Sequence, residues 1–435
     1  MSLLGAALVL GPLSVPAQPS ARFPASTNSY DGARPRATLV LSGNTLYGTT
    51  SDHAGAYGGA SGTVFKVDTD GRNFAVLHFF TPISYSNPTN SDGAFPYAGL
   101  VLSGDALYGT ARDGGIGGSG TVFKVNTDGA GFAVLHHFTA GRSSPRPLNQ
   151  DGAHPMAGLA LSGSTLYGTA QRGGDNEGTI FKLNTDGSAF VTLHAFSPLG
   201  GRDLTNWDGA FPEAELTVFG NTLYGTTWSG GTGRWGTVFR LNTDGEGFTV
   251  LHSFTAGLGN KNGHTSNADG ACPEAGVIVS GSVIYGTAHA GGEAGNGTVF
   301  RLNTDGSGFA VLHGFTAHGH SAPDNTNNDG ENPKGLVLSG HTLYGIASEC
   351  GRAFWGTLFR VNTDGTGFEV LHSFDSSGGA GPRASPVLSG ETLYGTANFG
   401  GGQGGGTVFK VKTNGTGFAA LHRFTAEPLP PSLTD

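Results

Sequence analysis

Apolar residues fall along this chain in short runs set apart by glycine, proline, serine, asparagine and aspartate. Between residues 92 and 138 the order is Asp92-Gly-Ala-x-Pro96, the run Leu100 to Leu102, Ser103-Gly104, then Leu107-Tyr108-Gly109-Thr110. A glycine-rich loop, Thr121 to Val125, Asn126-Thr127-Asp128-Gly129 and Val134-Leu135-His136-x-Phe138 follow. Four β-branched or aromatic runs separated by turn signals, with no helical period, predict a four-stranded meander. Both alternating positions are apolar in Val64-Phe65 and Val76-Leu77, so each small sheet is expected to be covered on both faces.

The pattern is written seven times, with Tyr47, Tyr108, Tyr167, Tyr224, Tyr285, Tyr344 and Tyr394 at equivalent places in a Leu/Ile-Tyr-Gly-Thr/Ile core. Sheets covered on both faces and repeated seven times predict an all-β, seven-bladed β-propeller, because stacking blades around an axis leaves only short edges exposed. A β-solenoid is the alternative, but it favours shorter, more uniform coils and needs no pair of tight hairpins per unit. The blades are expected at 31–80, 92–138, 151–196, 208–254, 269–315, 329–374 and 381–424, with a lead-in at 18–30 and a Pro-rich tail at 425–435. Two phases stay open: either each blade is one continuous stretch, or the first strands of copy one complete the blade of copy seven.

Strand direction alternates in a meander, so connections alternate between two rims. The Ser-Gly and Asn-Thr-Asp-Gly turns share one rim and vary little. Glycine-rich loops and long linkers, such as Thr81 to Pro96, Thr255 to Pro273 and Thr316 to Pro333, share the other. Function is expected on that variable rim, since loops on a rigid scaffold usually carry it.

Charge and composition narrow the choices. A net charge of −9 with no cationic run disfavours nucleic acid. Residues 3–15 form an apolar stretch ending at Val15-Pro16-Ala17, so residues 1–17 read as a signal peptide and the protein as secreted or displayed on the cell surface. No later stretch is apolar for the 18 or so residues of a membrane span. Cys272 and Cys350 fit one disulfide or two free thiols.

The repeated residues resemble the bacterial tandem-repeat family called GloVer, whose unit likewise centres on Leu-Tyr-Gly-Thr, a Gly-Gly, and Gly-Thr-Val-Phe-Lys. The resemblance covers residues 30–425 or so. It implies an exported repeat scaffold, often carrying a C-terminal sorting anchor, and supplies no catalytic residue. After Phe424 the sequence is Thr-Ala-Glu-Pro-Leu-Pro-Pro-Ser-Leu-Thr-Asp, without the hydrophobic span or basic tail of such anchors.

Residues repeated in every copy read as scaffold. The ring of His78, His136, His194, His252, His313, His372 and His422 is expected to bond a neighbouring Thr, Tyr or backbone carbonyl. The cations Lys66, Lys124, Lys182, Arg240, Arg301, Arg360 and Lys410 would line a central channel only if their strand were innermost; otherwise they meet turn aspartates or solvent. Asp31, Asp92, Asp151, Asp208, Asp269 and Asp329 read as turn residues, and copy seven lacks the Asp.

Residues that break the repetition carry the functional expectation. Trp207, Trp228 and Trp235 with Arg234, and Trp355 with Arg352, fall in variable-rim loops, where flat aromatic faces beside planar donors suit a sugar ring or simply cover a loop. His318 and His320 with Asp324 offer a weak metal alternative. Rim carboxylates Asp113, Asp175, Glu177, Glu293 and Glu349 could serve glycoside cleavage. No phosphate loop, nucleophile elbow or zinc-protease motif is present, and no cofactor is implied. The expected function is an exported binding or display module for polysaccharide or a cell-surface protein. A carbohydrate-active enzyme and a purely structural adhesion module are the alternatives.

Overall fold

The computed structural model describes residues 31–425 except 53–60, 85, 87, 141–148, 175, 202, 256, 260–264 and 318–326. The expected signal peptide, the lead-in, all of the tail beyond Thr425, and the His318, His320 and Asp324 group lie outside the described residues. Strands are the only long regular elements among those described, and they form seven antiparallel sheets of meander order. Blade two has strands Val101–Ser103, Ala106–Ala111, Thr121–Asn126 and Ala133–His137, and the other blades repeat it. The variations are local. Blade six begins with a nine-residue strand, Glu331–Ser339. Blade seven divides that strand into Ala380–Pro382 and Val387–Ser389, and a small ribbon pairs Leu258 with Ser266 in the linker before blade five.

The seven-bladed propeller is therefore the fold, and the first phase is the observed one. Copy seven supplies its own blade through to Ala419–Thr425, and no strand from copy one joins it. The first strand of each blade and the segment leading into it face the axis. The Ser-Gly turns lie at the far end of that strand, where glycines such as Gly104, at φ +59, occupy the first position of a two-residue hairpin.

The Leu-Tyr-Gly-Thr glycine answers a different need. A Cβ on Gly225 would stand 2.5 Å from the Phe239 ring and 2.8 Å from Leu216 Cδ2, so the bare backbone lets the third-strand phenylalanine lie flat across its neighbour. Phe65, Phe123, Phe181, Phe239, Phe300, Phe359 and Phe409 are all fully buried. Each contributes about 2–3 kcal/mol of burial.

Seven apolar clusters fill the seven joints between blades. Tyr47, Val64 and Phe80 of blade one pack with Leu100, Leu107, Phe123 and Val125 of blade two, and Tyr394, Val408 and Phe424 close the ring against Leu39, Leu46, Phe65 and Val67. A polar clamp sits beside six of the seven clusters. In the first joint, His78 Nε2 lies 3.2 Å from Asp92 Oδ2, and its ring stacks on Phe132 at 3.6 Å between centroids. The same aspartate accepts bonds from Thr81 N and Oγ1. Burial alone would raise the Asp92 carboxyl, yet the His78 and Thr81 hydrogen bonds hold it below the usual range. The carboxylate is then an acceptor, and His78 Nε2 carries the donated proton. Closure reuses the same parts: His422 Nε2 meets Asp31 Oδ2 at 3.0 Å and stacks on Phe74.

These clamps correct two expectations. The histidine partner is an aspartate from the next repeat rather than Thr, Tyr or a carbonyl, so the Asp-Gly turn is half of the joint as well as a turn. Its placement depends on a bulge in every blade. In blade two, Phe123 pairs with Val134 but Val122 with His136, which leaves Leu135 as the extra residue and re-aims the histidine.

The repeated cations do not line the channel. They sit on the third strand, and Lys182 Nζ donates to Thr243 O at 3.2 Å, Arg240 Nη1 to Thr304 O at 3.1 Å, and Lys410 Nζ to Thr69 O at 3.2 Å. Each reaches the Asn-Thr-Asp-Gly or equivalent turn of the next blade and ties the constant rim together.

Candidate functional site

A cavity of about 370 Å³ opens on the axis, lined by the residues that follow the proline of each Asp-Gly-Ala-x-Pro element. The residue before each proline sets them there. Arg34, Phe95, His154, Phe211, Cys272 and Asn332 all have φ between +54 and +58, a conformation that side chains other than glycine rarely adopt. Their N–H groups are held by the preceding blade: Phe95 N donates to Ser61 O, Phe211 N to Glu177 O, and Cys272 N to Trp235 O. The strained turn is thereby fixed by the joint and swings the next residue toward the axis.

At that one position the seven copies carry five residue types: Arg36, Tyr97, Met156, Glu213, Glu274, Lys334 and Arg383. Blades six, seven and one contribute the cations, blades four and five the carboxylates, and blades two and three Tyr97 and Met156. Two residues farther along, or one in the shorter blade six, Thr38, Gly99, Gly158, Glu215, Gly276, Gly335 and Ser385 form a second ring.

The acidic arc is finely graded. Lys334 Nζ donates to Glu274 Oε2 and also to His289 Nδ1, the latter at 3.1 Å. Burial raises Glu274, but Lys334 and His289 beside it hold the carboxyl below its usual range. Burial and the Lys334 charge push His289 down to about 4, so it is a neutral acceptor for Lys334. Glu213 accepts from Gln171 Nε2 at 2.5 Å, and burial nonetheless raises its carboxyl. Glu215 is the extreme case. It fills the place that glycine holds in its neighbours, with Oε2 about 3.0 Å from where a Gly158 Cβ would be, and burial pushes it up to about 7. The residue as a whole nevertheless remains exposed to the channel.

Facing it, Arg36 lies over the Tyr97 ring at 4.7 Å, and Arg112 lies over the same ring at 5.5 Å. Burial and the Arg383 charge hold the Arg36 guanidinium below its usual range. Arg383 Nε is buried without a hydrogen-bond partner.

The residues singled out from sequence are distributed differently. Trp228 donates its backbone N–H to Phe211 O, the same loop position that Arg112, Gln171 and His289 hold in blades two, three and five. Trp207 is 57% exposed on the blade flank and meets His194 and Phe248 edge-on. Trp235 packs against Tyr224, Val238 and Phe254 with Arg234 over its ring at 5.2 Å, while Trp355 packs against Tyr344, Leu358 and Phe374 two blades on. Arg352 lines a separate cleft with Asn328, Asp329, Phe368 and Glu369.

Of the rim carboxylates, Asp113 bonds His154 Nδ1 at 2.8 Å, Glu177 is buried in its loop, Glu293 and Glu349 are exposed, and Asp175 is outside the described residues. None of the described four lines the axial cavity. Cys272 and Cys350 are not joined by a disulfide, and both thiols are pushed up to about 12, by burial first and then by neighbouring carboxylates. Among the described residues no group of three or more His, Cys, Asp or Glu is placed to hold a metal ion, and no helix is long and apolar enough to cross a membrane.

Sequence reasoning missed Arg36, Glu213, Glu215, Glu274, Lys334 and Arg383. A signal was present: the position after a proline found in every copy carries two arginines, two glutamates, a lysine, a tyrosine and a methionine.

The fold is shared with several solved propellers. A Mycobacterium tuberculosis puromycin-hydrolyzing peptidase superposes with a TM-score of 0.52 at 12% identity over 94% of this chain and 57% of that one. A Bacteroides uniformis protein provisionally named 6-phosphogluconolactonase gives 0.51 at 15% identity over 89% and 98%. A Niastella koreensis GH74 enzyme gives 0.51 at 14% identity over 92% and 55%. At such identities the likeness is one of architecture alone. No curated protein sequence matches the chain. The Gloeobacter/Verrucomicrobia repeat matches at residues 15–148, 62–265, 200–328 and 322–428, spanning every blade, and the chain belongs to that repeat family.

Proposed function

We propose that the protein is an exported, non-catalytic binding module that recognises a polysaccharide at the axial end of its variable rim. The observation that carries this reading is the post-proline position: the joints keep seven copies alike, yet this position presents seven side chains of mixed charge to one cavity. A scaffold alone gives no reason for that variety, whereas a concave site with convergent polar groups is what ligand recognition requires. Trp228, at the loop position from which Gln171 reaches Glu213 and His289 reaches Lys334 in the flanking blades, would add an aromatic face to the Glu213 and Glu274 carboxylates, which suit sugar hydroxyls. The apolar stretch at residues 3–15 supports export.

A glycan array with wild type, Trp228→Ala and Glu213→Gln tests it. Binding by wild type that both variants lose is the expected result, and a blank wild-type profile would remove the reading.

One observation favours a second reading, a glycoside-cleaving enzyme. Glu213 is raised and Glu274 lowered on adjacent blades, the division of states that an acid and a base need. Release of reducing ends from acidic or neutral polysaccharides, abolished in Glu274→Gln, would establish it. No release from any of them would exclude it.

A further inference from the structure

The two arginines on the cationic arc differ from the other cations beside them in making no ion pair among the described residues. Lys334 is neutralised by Glu274 and Arg34 by Asp52 at 2.9 Å, but neither Arg36 nor Arg383 pairs with a carboxylate among the described residues. They come from blades seven and one, which meet at the ring closure where Thr396 Oγ1 donates to Ala37 O at 3.1 Å. Two guanidinium groups lining one cavity repel each other, and partial burial makes the repulsion dearer than in water. Closure of the ring does not require them, because its clamp is made by Asp31, His422, Phe74 and Phe424.

The second ring adds an independent observation. Four of its seven positions are glycine and one is Glu215, but below Arg36 and Arg383 stand Thr38 and Ser385. Only this arc therefore combines an arginine in the first ring with a hydroxyl residue in the second, and it does so in two adjacent blades. Planar five-donor forks match a carboxylate, and adjacent hydroxyls match the ring oxygens of a sugar.

We propose that Arg36 and Arg383 seat the carboxylate of an acidic sugar, with Thr38 and Ser385 bonding its hydroxyls and the acidic wall opposite taking the remainder of the ring. The assignment rests on the channel mouth being the binding site. A monoanion fits better than a dianion, since Glu213, Glu215 and Glu274 share the cavity and would repel the second charge. Arg36 is held in place by the Tyr97 face, so it meets the ligand with little ordering cost.

Calorimetric titration of the full chain at low salt, with glucuronate, tri-galacturonate, glucose and glucose 6-phosphate, tests the assignment. Of the uronates, wild type is expected to bind the monoanion glucuronate better than the trianionic tri-galacturonate and not to bind glucose, and to lose about thirtyfold in glucuronate affinity in Arg36→Gln or Arg383→Gln, the worth of a charged hydrogen-bonded contact. Arg383→Lys should recover only part of the loss, because an ammonium lacks the fork. Melting curves keep the result interpretable: both Gln variants should melt at or above wild type, and uronate should raise the wild-type midpoint but not theirs. Equal uronate affinity in wild type and folded Gln variants would overturn the proposal, as would tighter binding of the phosphate. Neutral glycans bound through Trp228, with no uronate preference, would overturn it while leaving the binding-module reading intact; silence toward every sugar would remove both.

Discussion

The joints between blades and the mouth of the channel are built from adjacent residues of the same motif, yet they obey opposite rules. Asp208 is fully buried, accepts from His194 at 3.1 Å and from Ser197 N and Oγ at 3.0 and 3.1 Å, and recurs in six of the seven copies. Five residues later, Glu213 has counterparts that are arginine, tyrosine, methionine, lysine or glutamate. The joint gathers three donors on Asp208 Oδ2, so removing that acceptor strands all of them, although Oδ1 of Asp92 and of Asp208 is itself buried without a partner. The mouth leaves groups such as Arg383 Nε unsatisfied. Stability is concentrated in the first region, and recognition is available in the second.

Breaking a joint should have the largest effect. Asp208→Ala removes the acceptor of three bonds and strands His194, so urea denaturation should show a loss of about 3–4 kcal/mol. Gly225→Ala, which forces a Cβ against Phe239, should cost about 3 kcal/mol in the same assay. A loss below 1 kcal/mol or so for both would mean that the joints are not where stability resides.

A sharper comparison lies within the joints. The copy-seven equivalent of the clamp aspartate is Gly378, so His372 stacks on Phe418 at 3.9 Å without that carboxylate. His194→Ala should therefore destabilise by about 1–2 kcal/mol more than His372→Ala, measured as the difference in unfolding free energy. Equal losses would assign the histidine's worth to stacking alone.

The two regions should also respond to pH in opposite directions. Asp92, Asp151, Asp269 and Asp329 are held below the ordinary aspartate value of 3.8 by histidine and threonine hydrogen bonds that outweigh burial. Their contribution is present above that value and is lost as pH falls through the depressed folded range. Glu215 is raised from 4.5 to about 7, so the folded protein holds its proton more tightly than the unfolded chain. That contribution is present at low pH and is lost as pH climbs from 4.5 toward 7. Melting temperature should fall steeply in acid and drift down toward neutrality, and Glu215→Gln should flatten only the second slope. Acid lability in that variant matching wild type would confirm that the two slopes have separate origins.

The smallest effect is expected at the rim. Trp228→Ala should change stability by no more than about 0.5 kcal/mol, as for a surface substitution outside a joint, while any glycan binding is lost. A large destabilisation there would make Trp228 a packing residue and weaken the comparison.

Much of the joint was legible in the sequence, because repetition exposes it. A glycine in every Leu-Tyr-Gly-Thr core and a phenylalanine in every third strand announce a close approach even before Gly225 and Phe239 are seen together. The His78 to Asp92 clamp was only half legible: both rings of residues were visible, but the bulge at each fourth strand, which decides where His78 points, has no residue signature of its own. At the candidate site, tryptophan drew attention because it is rare and large. Trp235 and Trp355 nevertheless pack on blade interiors, and the arginines and glutamates of the mouth were hidden by being ordinary residues next to proline.

What the amino-acid sequence determined by itself was the number of blades, the meander within each and the division into a constant and a variable rim. These follow from local patterning and turn chemistry, which act over a few residues and recur with each copy. Which strand faces the axis, how the ring closes, and that Arg36 stands beside Arg383 from the opposite end of the chain were decided by the tertiary structure alone. Closing the ring brings together residues separated by nearly the full length of the protein, and no pattern within one repeat records that meeting.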